Sequence, residues 1–282
     1  MPDIIEKLLN IFTKKKVRNT ITISKIKGAF IGSGIGESLG LPVKNKTEEE
    51  LLKNPVSDFL GYGDMSEPAG INSLCYESLS DFTKYLYENN GINNGITHFF
   101  KLCNNWYIIK VKDEEQRLRI IIPCACISGI LYSFCSADEK KALEAIPDIL
   151  CDEVIVPAAF IFYTSYFIST DHDPKTAIKK SKKKTQKLLK KIGLKINENS
   201  FTNSIYNILT NCFSESYDFK QNVLYCVNKG FYPDLAGNIA GFLSGLFCGL
   251  ENIPYIWSGF LHKKNAIETS AIKAAKLSGV LA

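Results

Sequence analysis

Histidine is scarce in this 282-residue chain, which has only His98, His172 and His262. Three scattered imidazoles argue against a histidine-built metal centre and against a Ser-His-Asp triad. The nine cysteines never take the C-x-x-C spacing of a zinc site, Cys124 and Cys126 being the closest pair. They sit singly in apolar stretches and read as buried thiols of a reducing compartment. No apolar run matches the ~18–20 residues that cross a bilayer. The longest, residues 120–135, carries Pro123 and reads as a buried helix, so no transmembrane segment is expected. The opening residues lack an apolar region followed by a small-residue cleavage site, so a cytoplasmic protein is the expectation. Sustained two-residue alternation is also missing, and only YIIKV at 107–111 has the composition of a short strand.

Charge is present but local. Much of the net +5 comes from lysine runs, above all KKSKKKTQKLLKKIGLK from Lys179 to Lys195, which holds nine lysines and no acid. On a helix this is a strongly positive, salt-sensitive face. Aromatic residues for base stacking are not interleaved in it, so a solvated face is favoured over contact with nucleic acid or another polyanion. The start, MPDIIEKLLNIFTKKKVR, puts Ile4, Ile5, Leu8, Leu9 and Phe12 on one helical face and ends in Lys14, Lys15, Lys16 and Arg18. Such a segment can dock on its own body, pair with a partner, or lie on an anionic membrane. Residues 1–26 form an extension on a helical domain over 27–282.

Small residues carry the clearest pattern. Gly28, Gly32 and Gly36 recur every four residues in SKIKGAFIGSGIGESL, and Gly237, Gly241, Gly245 and Gly249 do so in AGNIAGFLSGLFCGL. In the second segment Ala236, Ala240, Ser244 and Cys248 add a parallel row. Each glycine costs a helix about 1 kcal/mol relative to alanine, so tertiary contact must offset the loss. Rows this smooth let helices approach at backbone distance, the mark of a central helix in an all-α, compact multi-helix bundle.

Three segments, in order, resemble the ADP-ribosylglycohydrolase family: GAFIGSGIGESLGLPVK at 28–44, PAGINSLCYESLSDF at 68–82, and GFYPDLAGNIAGFLSGLFCGLENIP at 230–254. The first is similar to that family's opening G-x-x-x-G-D-A-x-G-x-P-x-E, the last to its G-G-D-T-D-T-x-x-x-I-A-G-x-x-x-G-x-x-x-G stretch. The resemblance covers about residues 27–278. It implies a helical bundle around a cleft that holds two divalent ions, usually magnesium, and cleaves ADP-ribosyl linkages. Magnesium prefers oxygen ligands, which such enzymes supply as paired aspartates on two helix starts.

This chain departs from that pattern. Aligning the I-A-G triplets sets Tyr232 at the first aspartate of D-x-D, Asp234 at the second and Leu235 at the following threonine. Asn72, Ser73, Leu74 and Cys75 fall on the T-D-D-T motif, and residues 69–76 contain no Asp or Glu. Glu37 stands where an aspartate is usual, and Lys44 where a glutamate is usual. Lys44 brings positive charge near the vacated site, and DEEQRLR at 113–119 replaces small residues of a loop that approaches substrate.

The expectation is therefore an ADP-ribosylglycohydrolase-fold pseudoenzyme with no cofactor of its own, serving as a binding or scaffold protein for a protein partner or a second copy. The alternatives are a divergent hydrolase of ADP-ribosyl linkages and a structural subunit of an assembly. Glu37, Asn72, Ser73, Tyr232 and Asp234 are the cleft candidates for ADP-ribose or a related nucleotide. Asp234 reads as a helix-start acid facing the positive end of the dipole, with a vestigial metal ligand as the alternative. Tyr232 is a space-filler or an aromatic lid. Glu77 and Asp81, four apart, have the spacing of paired carboxylates but read as surface charge.

Overall fold

The computed structural model describes residues 21–89, 111, 113–134, 152–192 and 201–281. The amphipathic N-terminal segment, His98, Lys195 and all but Val111 of the expected 107–111 strand lie outside them. The described residues form eleven α-helices and two 3-10 turns, with no strand. The helices are α1 (Ile23–Gly40), α2 (Glu48–Lys53), α3 (Leu74–Glu88), α4 (Glu114–Phe134) and α5 (Asp152–Ser169). They continue as α6 (Pro174–Ile192), α7 (Phe201–Glu215), α8 (Phe219–Val227), α9 (Pro233–Cys248), α10 (Tyr255–Phe260) and α11 (Lys264–Leu277).

The bundle is organised around the two glycine-spaced helices. Thr22 starts α1 by accepting the Lys25 N–H, and from Gly28 to Gly40 every residue of that helix is buried. α9 runs antiparallel against it, with Gly28 facing Gly245, Gly32 facing Gly241 and Gly36 facing Gly237. A Cβ on Gly36 would lie 1.8 Å from the Gly237 carbonyl oxygen, so the two backbones touch directly. That close approach supplies the dispersion contacts that offset the helix cost of glycine. One polar clamp crosses the seam, Asn238 Nδ2 donating to Ser33 Oγ at 2.7 Å.

The other helices wrap this pair. α3 and α11 flank α1, α8 flanks α9, α4 packs on α3 and α5, and α6 and α7 lie outside α5. By length and composition α4 is apolar enough to cross a membrane, yet 83% of its apolar window is buried inside the bundle. Pro123 lies in its interior and Leu118 through Tyr132 are buried, which fits the reading of residues 120–135 as a core helix. On α6 the apolar side, Ala177, Ile178, Leu188 and Leu189, is buried against the body. Two of its lysines rest on aromatic rings of neighbouring elements: Lys182 Nζ lies 3.7 Å from the Tyr206 ring centre and Lys180 Nζ 5.7 Å from that of Phe167.

Candidate functional site

Two helix starts, those of α3 and α9, converge on the last turns of α1, and each is met by a buried carboxylate. Glu37 of α1 serves α3. Its oxygens accept the backbone N–H groups of Cys75 at 3.0 Å and Tyr76 at 3.1 Å, together with the Ser73 hydroxyl at 3.0 Å. These are the orphan donors that a cap residue ordinarily satisfies. Ser73 occupies the cap position but turns its hydroxyl to Glu37 and makes no cap bond of its own. Asn72 completes the cluster, its Nδ2 reaching Gly34 O at 2.7 Å, Ser38 Oγ at 3.1 Å and Glu37 Oε2 at 3.4 Å.

Asp234, second residue of α9, meets an arginine. Arg119 Nε lies 2.6 Å from Asp234 Oδ2 and Nη2 lies 3.1 Å from Oδ1, a two-point fork in which both carboxylate oxygens are engaged. The pair is deeply buried, at 5% and 1% exposure. The remaining terminal nitrogen, Nη1, reaches Glu115 Oε2 at 3.2 Å on the surface side. Tyr232 covers the guanidinium with its ring centre at 5.4 Å, and its hydroxyl reaches Glu115 Oε1 at 3.5 Å. Tyr232 holds a left-handed backbone, φ 47° and ψ 61°. For a residue with a Cβ this costs about 1–2 kcal/mol. Contacts with Arg119 and with the rings of Phe201 and Phe231 hold it there.

The electrostatics follow from burial. Desolvation, then the negative charge of Asp234, pushes the Glu37 carboxyl up to about 7, although its bonds from Ser73, Tyr76 and Cys75 oppose the shift. Burial works against charge on Arg119, but its hydrogen bonds and attraction to Asp234 more than compensate and hold the guanidinium above its ordinary range. The Cys75 thiol is driven well up, first by burial and then by Glu37, so it is no nucleophile.

Could this donor set hold magnesium? Asp234 is committed at both oxygens to Arg119, and Glu37 at both to N–H and hydroxyl donors. Asn72, Ser73, Leu74 and Cys75 supply no carboxylate. Among the described residues no three His, Cys, Asp or Glu stand together as a metal site. A pair of magnesium ions does not fit. A depression lined by Ser38, Leu41, Met65, Pro68 and Ile71 adjoins the site. It encloses about 210 Å³ including its open mouth, below the ~300–1,000 Å³ of small-molecule pockets.

The five cleft candidates thus lie in one region, in two linked groups: Glu37 with Asn72 and Ser73, and Asp234 with Tyr232. Three details differ from the sequence reading. Asp234 is at the helix start, but its carboxylate is spent on Arg119 rather than turned to the dipole alone. The positive charge beside it comes from Arg119; Lys44, half-exposed at the end of the Leu41–Val43 turn, is not among its hydrogen-bond or ion-pair partners. DEEQRLR is not a loop, because α4 already begins at Glu114 and its second turn carries Arg119 inward. The signal for Arg119 was present as an arginine between Leu118 and Ile120 at the head of an apolar run. Glu77 is apart from the site, on the surface with Lys263 Nζ at 2.8 Å.

The fold defined by this glycine-seamed bundle is that of the ADP-ribosylglycohydrolases. A solved structure described as an ADP-ribosylglycohydrolase-related protein complex superposes with a TM-score of 0.62 at 16% identity, over 91% of this chain and 98% of that one. No protein-family profile matches the chain, and no curated protein does. At this identity the likeness establishes the fold.

Proposed function

We propose that this protein is a non-catalytic member of the ADP-ribosylglycohydrolase fold that serves as a binding or scaffold protein. The observation that carries the reading is the Arg119–Asp234 fork. A monovalent guanidinium, covalently part of the chain, occupies the only carboxylate that the metal motif retains. Glu37 has a pKa suited to acid–base work, at about 7, but it is fully buried with both oxygens bonded and touches no open cleft. What the two acids do is structural, each fixing a helix start. With chemistry removed, the surfaces remain as the means of acting, and a protein partner or a second copy is the partner class proposed.

Thermal unfolding with magnesium or manganese, with and without ADP-ribose, tests this. A ligand at a hundred times its Kd adds about 2.7 kcal/mol, roughly 5–10 °C for a chain of this size. The expected result is no metal-dependent change. A saturable rise with metal that Asp234→Ala removes would overturn the proposal. A rise with ADP-ribose alone would assign the scaffold a nucleotide.

A further inference from the structure

A small hollow opens where α5, α6 and α7 meet, on the side of the bundle that carries the lysine run. Phe160 of α5, Lys182 and Thr185 of α6, and Thr202, Asn203 and Tyr206 of α7 line it. Lys182 and Thr185 are three apart on one helix, Thr202 and Tyr206 four apart on the other, so each pair shares a face. Including its mouth the hollow measures about 210 Å³, below the ~300–1,000 Å³ of pockets for whole small molecules. A single ionic group is the scale of occupant it suits.

Its charge has one sign. Lys182 Nζ lies 3.7 Å from the Tyr206 ring centre, which holds the ammonium on the α7 side. Among the described residues no carboxylate forms an ion pair with it, and α6 contains no acid. α7 begins at Phe201, so Thr202 and Asn203 belong to its first turn, and that turn carries no acid of its own. There the N–H groups have no intrahelical partner and the dipole presents its positive end. A lysine and a helix start together favour an anion.

Thr185 is the independent sign of a ligand. The residue is 1% exposed, and its hydroxyl has no hydrogen-bond partner. Ser181, one turn earlier on the same helix, shows the ordinary solution by donating to the Ala177 carbonyl at 2.7 Å. Thr185 makes no such bond. Buried hydroxyls left unpaired are costly, and nearly all in folded proteins are satisfied.

We propose that this hollow binds a phosphate group. The Lys182 ammonium supplies the charge, the Thr185 hydroxyl and the first-turn N–H groups of α7 donate to the oxygens, and Phe160 and Tyr206 form the apolar side. Donors arriving from two helices suit a tetrahedral oxyanion, which accepts along several directions at once, better than a chloride or a flat carboxylate.

Amide NMR of the full chain tests the site, with inorganic phosphate and glycerol phosphate titrated separately against sodium chloride of equal ionic strength. Saturable shifts of the Thr202 and Asn203 amides are expected at millimolar or lower concentration. Tighter binding of the first probe makes the ligand the free ion, and of the second a phosphorylated small molecule. Affinity is expected to fall at least tenfold in Lys182→Gln and in Thr185→Val. Thr185→Val keeps the shape and removes only the unpaired hydroxyl, so its melting temperature without phosphate is expected to be no lower than that of the parent. A lower one would show the hydroxyl to be satisfied by bound water and would overturn the proposal. So would the absence of saturable shifts, shifts that chloride reproduces, or an affinity that Thr185→Val leaves unchanged.

Discussion

Removing Arg119 is the sharpest perturbation the structure offers. Arg119→Met keeps a long apolar stem and deletes the cation, leaving Asp234 at 1% exposure with both oxygens stripped of partners. The lost fork comprises two charge-assisted bonds, at 2.6 and 3.1 Å, each contributing about 1.5–3 kcal/mol. Breaking a buried pair from one side costs about 3–5 kcal/mol by the same physics, so the two routes agree. The bond to Glu115 adds little, since that carboxylate is 58% exposed and such pairs contribute under about 1 kcal/mol. Against a domain stability of about 5–15 kcal/mol, a loss of this size is readily seen in urea unfolding at 25 °C and pH 7. Asp234→Leu alone strands the guanidinium and is expected to cost a similar amount. The double variant Arg119→Met/Asp234→Leu removes both charges and is expected to return to within about 2 kcal/mol of the parent, far short of the sum of the singles. Single variants that each cost less than about 1 kcal/mol, or a double variant that costs their full sum, would refute the account of Arg119 as the group that compensates Asp234.

Other consequences are as definite. Glu37 is an acid whose folded pKa, about 7, lies above its ordinary 4.5, so its contribution is fully present below pH 4.5 and lost as pH rises through 7. Stability of the parent minus that of Glu37→Gln should therefore fall by up to about 3 kcal/mol between pH 4.5 and 8, and a difference flat in pH would show the carboxyl to be unperturbed. Gly36→Ala gains about 1 kcal/mol in helix propensity. It also drives a Cβ to 1.8 Å from the Gly237 carbonyl, so a net loss of about 3 kcal/mol or more is expected, and a stabilised variant in thermal unfolding would mean the helices are not in backbone contact. Glu77→Ala, which removes one partner of an exposed pair with Lys263, should change stability by no more than about 1 kcal/mol; a larger change in the same assay would mark it as more than surface charge.

Much of this molecule was legible in the chain before any coordinates. Four-residue glycine spacing is a local property, and it requires a helix whose cost only close packing can offset, so the central pair and the all-α architecture followed from it. Missing carboxylates in residues 69–76 and at Tyr232 were equally plain, because ligand chemistry depends on residue type. What replaced them was not legible. Arg119 lies 115 residues from Asp234, and nothing in local periodicity distinguishes an arginine at the head of an apolar helix that points to water from one that points inward. Glu37 was recognisable as an acid in a cleft helix, but its partners are backbone N–H groups on another helix, which carry no sequence identity at all. The sequence by itself determined which helices must touch and which positions of the family motifs carry no carboxylate. Only the tertiary structure decided what neutralises the remaining carboxylate, because charge compensation in a buried site depends on which groups lie within about 3 Å, a distance that long-range packing alone sets.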